Sequence, residues 1–212
     1  MTDHPVAEAG PVITVGPVDD PELDAWAEET LLPTLKTWYP RISEMYASPE
    51  FRPLTLFHLR FRTDMGGIPA WAAGDEICLN KAWIKSQLEG ESLGSTIHEL
   101  THVVQQYPSG APGWFQEGFA DYVRWYQFEP EKHGCVILDW DDPTVKYDAS
   151  YRVSANFLDW VARTYGLDVL KEVNAACRAR RYRDTLWQEL TGATLGELDG
   201  AWKDQGKKGE RK

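Results

Sequence analysis

The chain has 212 residues, with 22 Lys and Arg against 33 Asp and Glu for a formal net charge of −11. It contains no apolar run near the roughly eighteen residues that a membrane-spanning helix needs. Such an excess of acid argues against a phosphate-tracking surface, since nucleic-acid affinity comes largely from Lys and Arg displacing counterions, so neither nucleic acid nor membrane is expected as a partner.

Residues 1–10 are polar and are expected to form a flexible N-terminus, 11–205 one domain, and 206–212 a basic disordered tail. The start lacks the basic segment and apolar core of a secretory signal, so the expected location is cytoplasmic, or secreted if the N-terminus is a processed start. Cys78, Cys135 and Cys177 form no CxxC pair, and no disulfide framework is expected.

Val12–Val15, β-branched between Pro11 and Gly16, suits a first strand. Asp19 or Asp20 can cap a following helix, with Pro21 in its first turn and Leu23, Trp26, Thr30, Leu31 and Leu35 at helical spacing. Pro33 and Pro40 should kink or divide it. From Leu54 to Arg62, Phe57, Leu59 and Phe61 alternate with His58, Arg60 and Arg62, the period of a half-buried strand. Ile68–Ala73 and Glu76–Asn80 flank Gly74-Asp75 and read as a hairpin. Helices are predicted over roughly 81–89, 93–107, 113–127, 149–165, 167–179, 184–191 and 194–204. Strands followed by helices make an α+β fold.

His98-Glu99-Leu100-Thr101-His102 places two imidazoles four residues apart on a predicted helix, where both can face one ion. Leu93, Ile97, Leu100 and Val104 form the apolar stripe, with His98, His102 and Gln105 on the polar side, whose simplest alternative fate is to face water. In the next helix Phe115, Phe119, Tyr122 and Tyr126 form a second stripe, and Glu117 and Asp121 project from the far side. The turn-rich link 107–113 favours an antiparallel pair and sets Glu117 at the height of His102. Two imidazoles, one carboxylate and an open fourth position describe a catalytic zinc rather than a structural one. Glu99 is then the base that activates water on the metal. Asp121 can orient a ligand imidazole, or else be a solvated helix acid. Gln105 and Pro108 exclude the longer three-histidine motif, whereas Glu117-Gly118-Phe119-Ala120-Asp121 is similar to the ExxxD element of glutamate-ligand zincins such as thermolysin.

Taken together, HELTHVVQ at 98–105, Ala111-Pro112-Gly113 and EGFADYVR at 117–124 resemble the plant basic secretory proteins and their bacterial relatives, a family of zinc peptidases. The resemblance covers most of 12–205. It implies a zincin-like, thermolysin-type single domain. Such a domain has a small N-terminal twisted sheet with an edge strand at the cleft, Ala70–Ala73 or Glu76–Leu79, then the HExxH helix and a mostly helical C-terminal half. It also implies one Zn2+ on His98, His102 and Glu117, Glu99 as catalytic base, and Tyr151 near the metal as oxyanion support, with Tyr147 its competitor. The expected activity is zinc-dependent cleavage of a peptide or protein substrate, by a monomer in the default case. The alternative is an inactive zinc- or peptide-binding module of the same fold, against which Glu99 counts, because metal binding alone does not need it. The chain departs from the plant proteins in being acidic. Asp139-Trp140-Asp141-Asp142 lacks the glycine and terminal glutamate of a calcium loop and reads as a solvated acidic loop.

Overall fold

The β-branched run after Pro11 forms strand β1 (Val12–Val15), and Asp20 caps the helix that follows, its carboxylate accepting from the main-chain N–H groups of Glu22 and Leu23. These features belong to a computed structural model that describes residues 10–149 and 151–210. All but one residue of the expected flexible N-terminus lie outside the described residues. The chain divides into two compact units: residues up to Ala47 with Phe51–Gln106, and Ser48–Glu50 with the residues from Tyr107 onward.

In the first unit, α1 (Pro21–Trp26) passes through a π-helical turn, Ala27–Leu31, into α2 (Leu32–Met45). The wider turn falls just before Pro33, which has no N–H to give and whose ring would crowd a carbonyl of the preceding turn. Pro40 is carried inside α2. Strands β2 (Leu56–Arg62), β3 (Ala70–Ala73) and β4 (Glu76–Asn80) complete a mixed four-stranded sheet of order β1-β2-β4-β3. β1 and β4 both run parallel to β2, and β3 pairs antiparallel with β4 through the Gly74-Asp75 turn. Thus β3 is an edge strand and β4 is interior, which removes Glu76–Leu79 from the two edge-strand alternatives.

Asn80 joins this sheet to the helices. Its main-chain N–H bonds Pro69 and its side-chain N–H groups bond the carbonyls of Gly66 and Ile68, while its Oδ1 caps α3 (Lys81–Ser86) by accepting from Trp83. α4 (Ser92–Gln105) packs against β3, β4 and α2.

The second unit is helical: α5 (Gly113–Tyr122), α6 (Tyr151–Tyr165), α7 (Leu167–Arg178), α8 (Thr185–Thr191) and α9 (Leu195–Glu210). α5 runs on into a π-helical turn, Val123–Phe128. Ser48 and Glu50 are tied to it by Arg178 and Arg181. The described residues are therefore α+β. Cys78, Cys135 and Cys177 are free and buried, and burial pushes the Cys78 thiol up to about 11 and the Cys177 thiol up to about 12.

One expectation is corrected here. Residues 206–210, read as part of a disordered tail, continue α9. Sequence pattern alone missed what holds them. Gly206 lies flat against the Trp140 indole, where an added Cβ would come within 2.3 Å of the ring, and Lys207 pairs with Asp141 at 2.5 Å. One residue earlier, Gln205 accepts from Trp160 Nε1 at 2.7 Å. Asp141 is thus engaged with a lysine, while Asp139 and Asp142 accept main-chain N–H groups two residues on, as turn residues do. Removing residues 206–212 should uncover Trp140 and cost about 1–2 kcal/mol, seen as a melting temperature lower by roughly 2–8 °C. A dispensable tail would leave it unchanged.

Candidate metal centre

α4 is buried on nearly all sides, with 12 of its 14 residues buried. His98 and Glu99 are each 8% exposed and Gln105 2%, so the polar side does not simply face water. Polar groups so placed need partners. The Ser92 hydroxyl donates to the carbonyl of Ile84, Thr96 to Ser92 and Thr101 to Ile97, all within 2.9 Å. The helix stops at Gln106, which adopts a left-handed conformation with φ 49°. The Gln106 side chain accepts from Arg52 N–H at 3.1 Å and donates to the Arg52 carbonyl at 2.7 Å, a two-point clasp on the main chain.

The four-residue spacing brings the His98 and His102 rings edge to face with centroids 4.8 Å apart. Their Nε2 atoms lie 3.1 Å apart. A tetrahedron built on metal–nitrogen bonds of about 2.0–2.1 Å has an edge of about 3.3 Å, so the nitrogens stand where two ligands of one ion stand. His102 Nδ1 lies 2.7 Å from Gln105 Oε1.

Glu117 comes from α5. The opposite side of that helix is the aromatic stripe, in which Phe115–Phe119, Phe119–Tyr122 and Tyr122–Tyr126 are in ring contact at 5.4, 6.2 and 5.8 Å. Burial pushes the Tyr122 hydroxyl up to about 12. With that stripe in the core, Glu117 is left half-buried on the other side. Its carboxylate and the imidazoles of His98 and His102 offer ligand atoms that all lie within 4.8 Å of one another, the one such group found among the described residues. This donor set, two imidazoles and a carboxylate, can hold a metal ion.

Of the other residues singled out from sequence, Glu99 is buried beside His98, and Asp121 is 5% exposed, which rules out the solvated-acid reading for it. Tyr151 opens α6 with 54% of its surface exposed. Tyr147 instead packs its ring on Trp114 and Phe157 at 5.0 and 5.6 Å. Gln105 and Gln106 were not given roles by the motif. Position alone offers a signal for Gln105, three residues after His102 and so on the same helix face.

A family model described as BSP, peptidase of plants and bacteria, matches residues 25–204. The chain belongs to the BSP family. That agrees with the resemblance carried by HELTHVVQ and EGFADYVR, and the family's description is one of peptidases, a class of hydrolases. No curated protein and no solved structure matches the chain.

In this BSP chain the placement of Glu117 depends on its neighbour, Gly118. A Cβ there would lie 2.5 Å from Ser154 Cβ and 3.3 Å from the Ser154 carbonyl carbon, on α6. Neither atom is the end of a flexible side chain, so α5 would have to move. Gly118→Ala is expected to lower stability by about 1–3 kcal/mol, read as a lower denaturant midpoint, and Ser154→Gly in the same chain should restore part of it. An unchanged midpoint for Gly118→Ala would show that the two helices are not in close contact.

Proposed function

We propose that the chain is a zinc-dependent metallopeptidase with a zincin-like fold, acting on a peptide or protein substrate. The observation that carries this reading is the convergence of His98, His102 and Glu117, with a buried glutamate next to the first histidine. His98 and His102 would lend Nε2 and Glu117 a carboxylate oxygen. When bound, the ion supplies a Lewis acid that polarises a peptide carbonyl and brings the pKa of water down toward about 7.

The chain's own residues do the rest. Glu99 takes the proton of the attacking water and passes it to the leaving amine as the C–N bond breaks. Metal binding does not require a carboxylic acid at that position, and its retention in a buried helix favours catalysis over simple metal or peptide binding. Asp121, one turn after Glu117 and out of water, orients an imidazole by accepting its outer N–H. The Tyr151 hydroxyl donates to the oxyanion that forms at the carbonyl. Its exposure supports that choice over Tyr147, whose ring is occupied by Trp114 and Phe157. As the sheet's edge, β3 offers main chain to an extended substrate by strand addition.

Metal analysis and a peptide-library assay on wild type and Glu99→Gln test the reading together. Wild type should hold one zinc and cleave peptide, and Glu99→Gln should hold zinc equally but lose about 10²–10⁴-fold in turnover. Stoichiometric zinc with no Glu99-dependent cleavage would make the chain a binding module, and no zinc at neutral pH would end both readings. Separately, Tyr151→Phe should lower kcat by about 10²-fold with little change in KM. Unchanged turnover would take Tyr151 out of the mechanism.

A further inference from the structure

We propose that Gln105 is a positioning residue for His102, fixing both the tautomer and the tilt of that imidazole. The role rests on the metal reading above. His102 Nδ1 lies 2.7 Å from Gln105 Oε1, and an amide oxygen can only accept. Nδ1 therefore carries the proton. In the neutral ring Nε2 is then a bare lone pair, and it is the atom that faces His98 Nε2 at 3.1 Å. In the other tautomer Nε2 would carry a hydrogen and could not bind an ion.

Two features make Gln105 a firm support. It is 2% exposed, so water is poorly placed to take over the acceptor's part. It is also the last residue of α4, directly before Gln106, whose clasp on Arg52 anchors the main chain there. An amide suits the place chemically, because it holds the ring without adding a further negative charge to a neighbourhood that already carries Glu99 and Glu117.

The first measurement uses the metal-free wild-type protein. Imidazole nitrogen NMR should show His102 with a protonated Nδ1 and an unprotonated Nε2 above the pH at which the ring is charged. The opposite tautomer overturns the role without any variant having to fold. Zinc affinity is then measured by chelator competition for wild type, Gln105→Met and Gln105→Glu. Methionine nearly fills the volume but accepts no comparable hydrogen bond, and should weaken zinc binding by about 10–100-fold. Glutamate restores an acceptor and should recover affinity to within a few-fold of wild type. Equal losses in the two variants would indicate a packing role and overturn the proposal, as would an unchanged Gln105→Met. Zinc bound by wild type with no effect of Gln105→Met removes only Gln105's role, whereas a wild type that binds no zinc removes the metal reading and this role with it.

Discussion

Burying a helix whose polar face is as well populated as its apolar one is costly unless every polar group is matched, and α4 is such a helix. The hydroxyls of Ser92, Thr96 and Thr101 turn inward to carbonyls of α4 and of the chain just before it, and its second histidine turns to Gln105. Two imidazole nitrogens 3.1 Å apart remain directed at each other. A single hydrogen bond can join them, one ring donating and the other accepting. A shared cation could take a lone pair from each ring instead, and the 3.1 Å separation fits either arrangement.

The sequence revealed elements whose cues are local. The period of two in 54–62, the Gly74-Asp75 turn and the HExxH spacing each report on residues within a few positions of one another. So does the Phe115, Phe119, Tyr122, Tyr126 stripe, which leaves Glu117 on the opposite side. What could not be read depends on distant partners. The parallel pairing of β2 with β1 and β4 brings together segments separated by the α1–α2 stretch in one case and by β3 in the other, and with it comes the identity of the edge strand. The burial of His98, Glu99 and Asp121 is set by what packs over them, which periodicity does not report. The same holds for residues 206–210: their composition is that of a frayed end, and the Trp140 ring that shelters Gly206 lies more than sixty positions away.

The formal charge of −11 is less uniform than the total implies. Glu129, 3% exposed, is met by Arg124 at 2.7 Å and by Lys132 at 2.8 Å, and Arg124 also stacks on the Trp125 ring, as Arg152 does. Asp159 is met by Arg163, though burial still raises its pKa. Asp199 both accepts from the Tyr147 main chain and pairs with Lys203. These acids serve as fasteners within the helical unit, and α5 shares in that stiffness through the rings of Trp114, Phe115, Phe157 and Trp187, which meet edge to face or tilted. A carboxylate such as Glu117 is thereby mounted on a helix whose opposite side is anchored in aromatic packing.

The clasp of Gln106 on Arg52 also acts as a ruler. Its two hydrogen bonds fix one end of α4 in space, and each residue of an α-helix turns the next by about 100°. Counting back from that fixed end, His102 and His98 acquire their directions by integer steps. Single substitutions along the intervening turn leave the count untouched, while a gain or loss of one residue between 102 and 106 would swing both imidazoles away by roughly a quarter turn or more. Val103 and Val104, which carry neither the imidazole nor its amide support, should therefore accept exchange for similar side chains far more readily than the segment accepts a change of length.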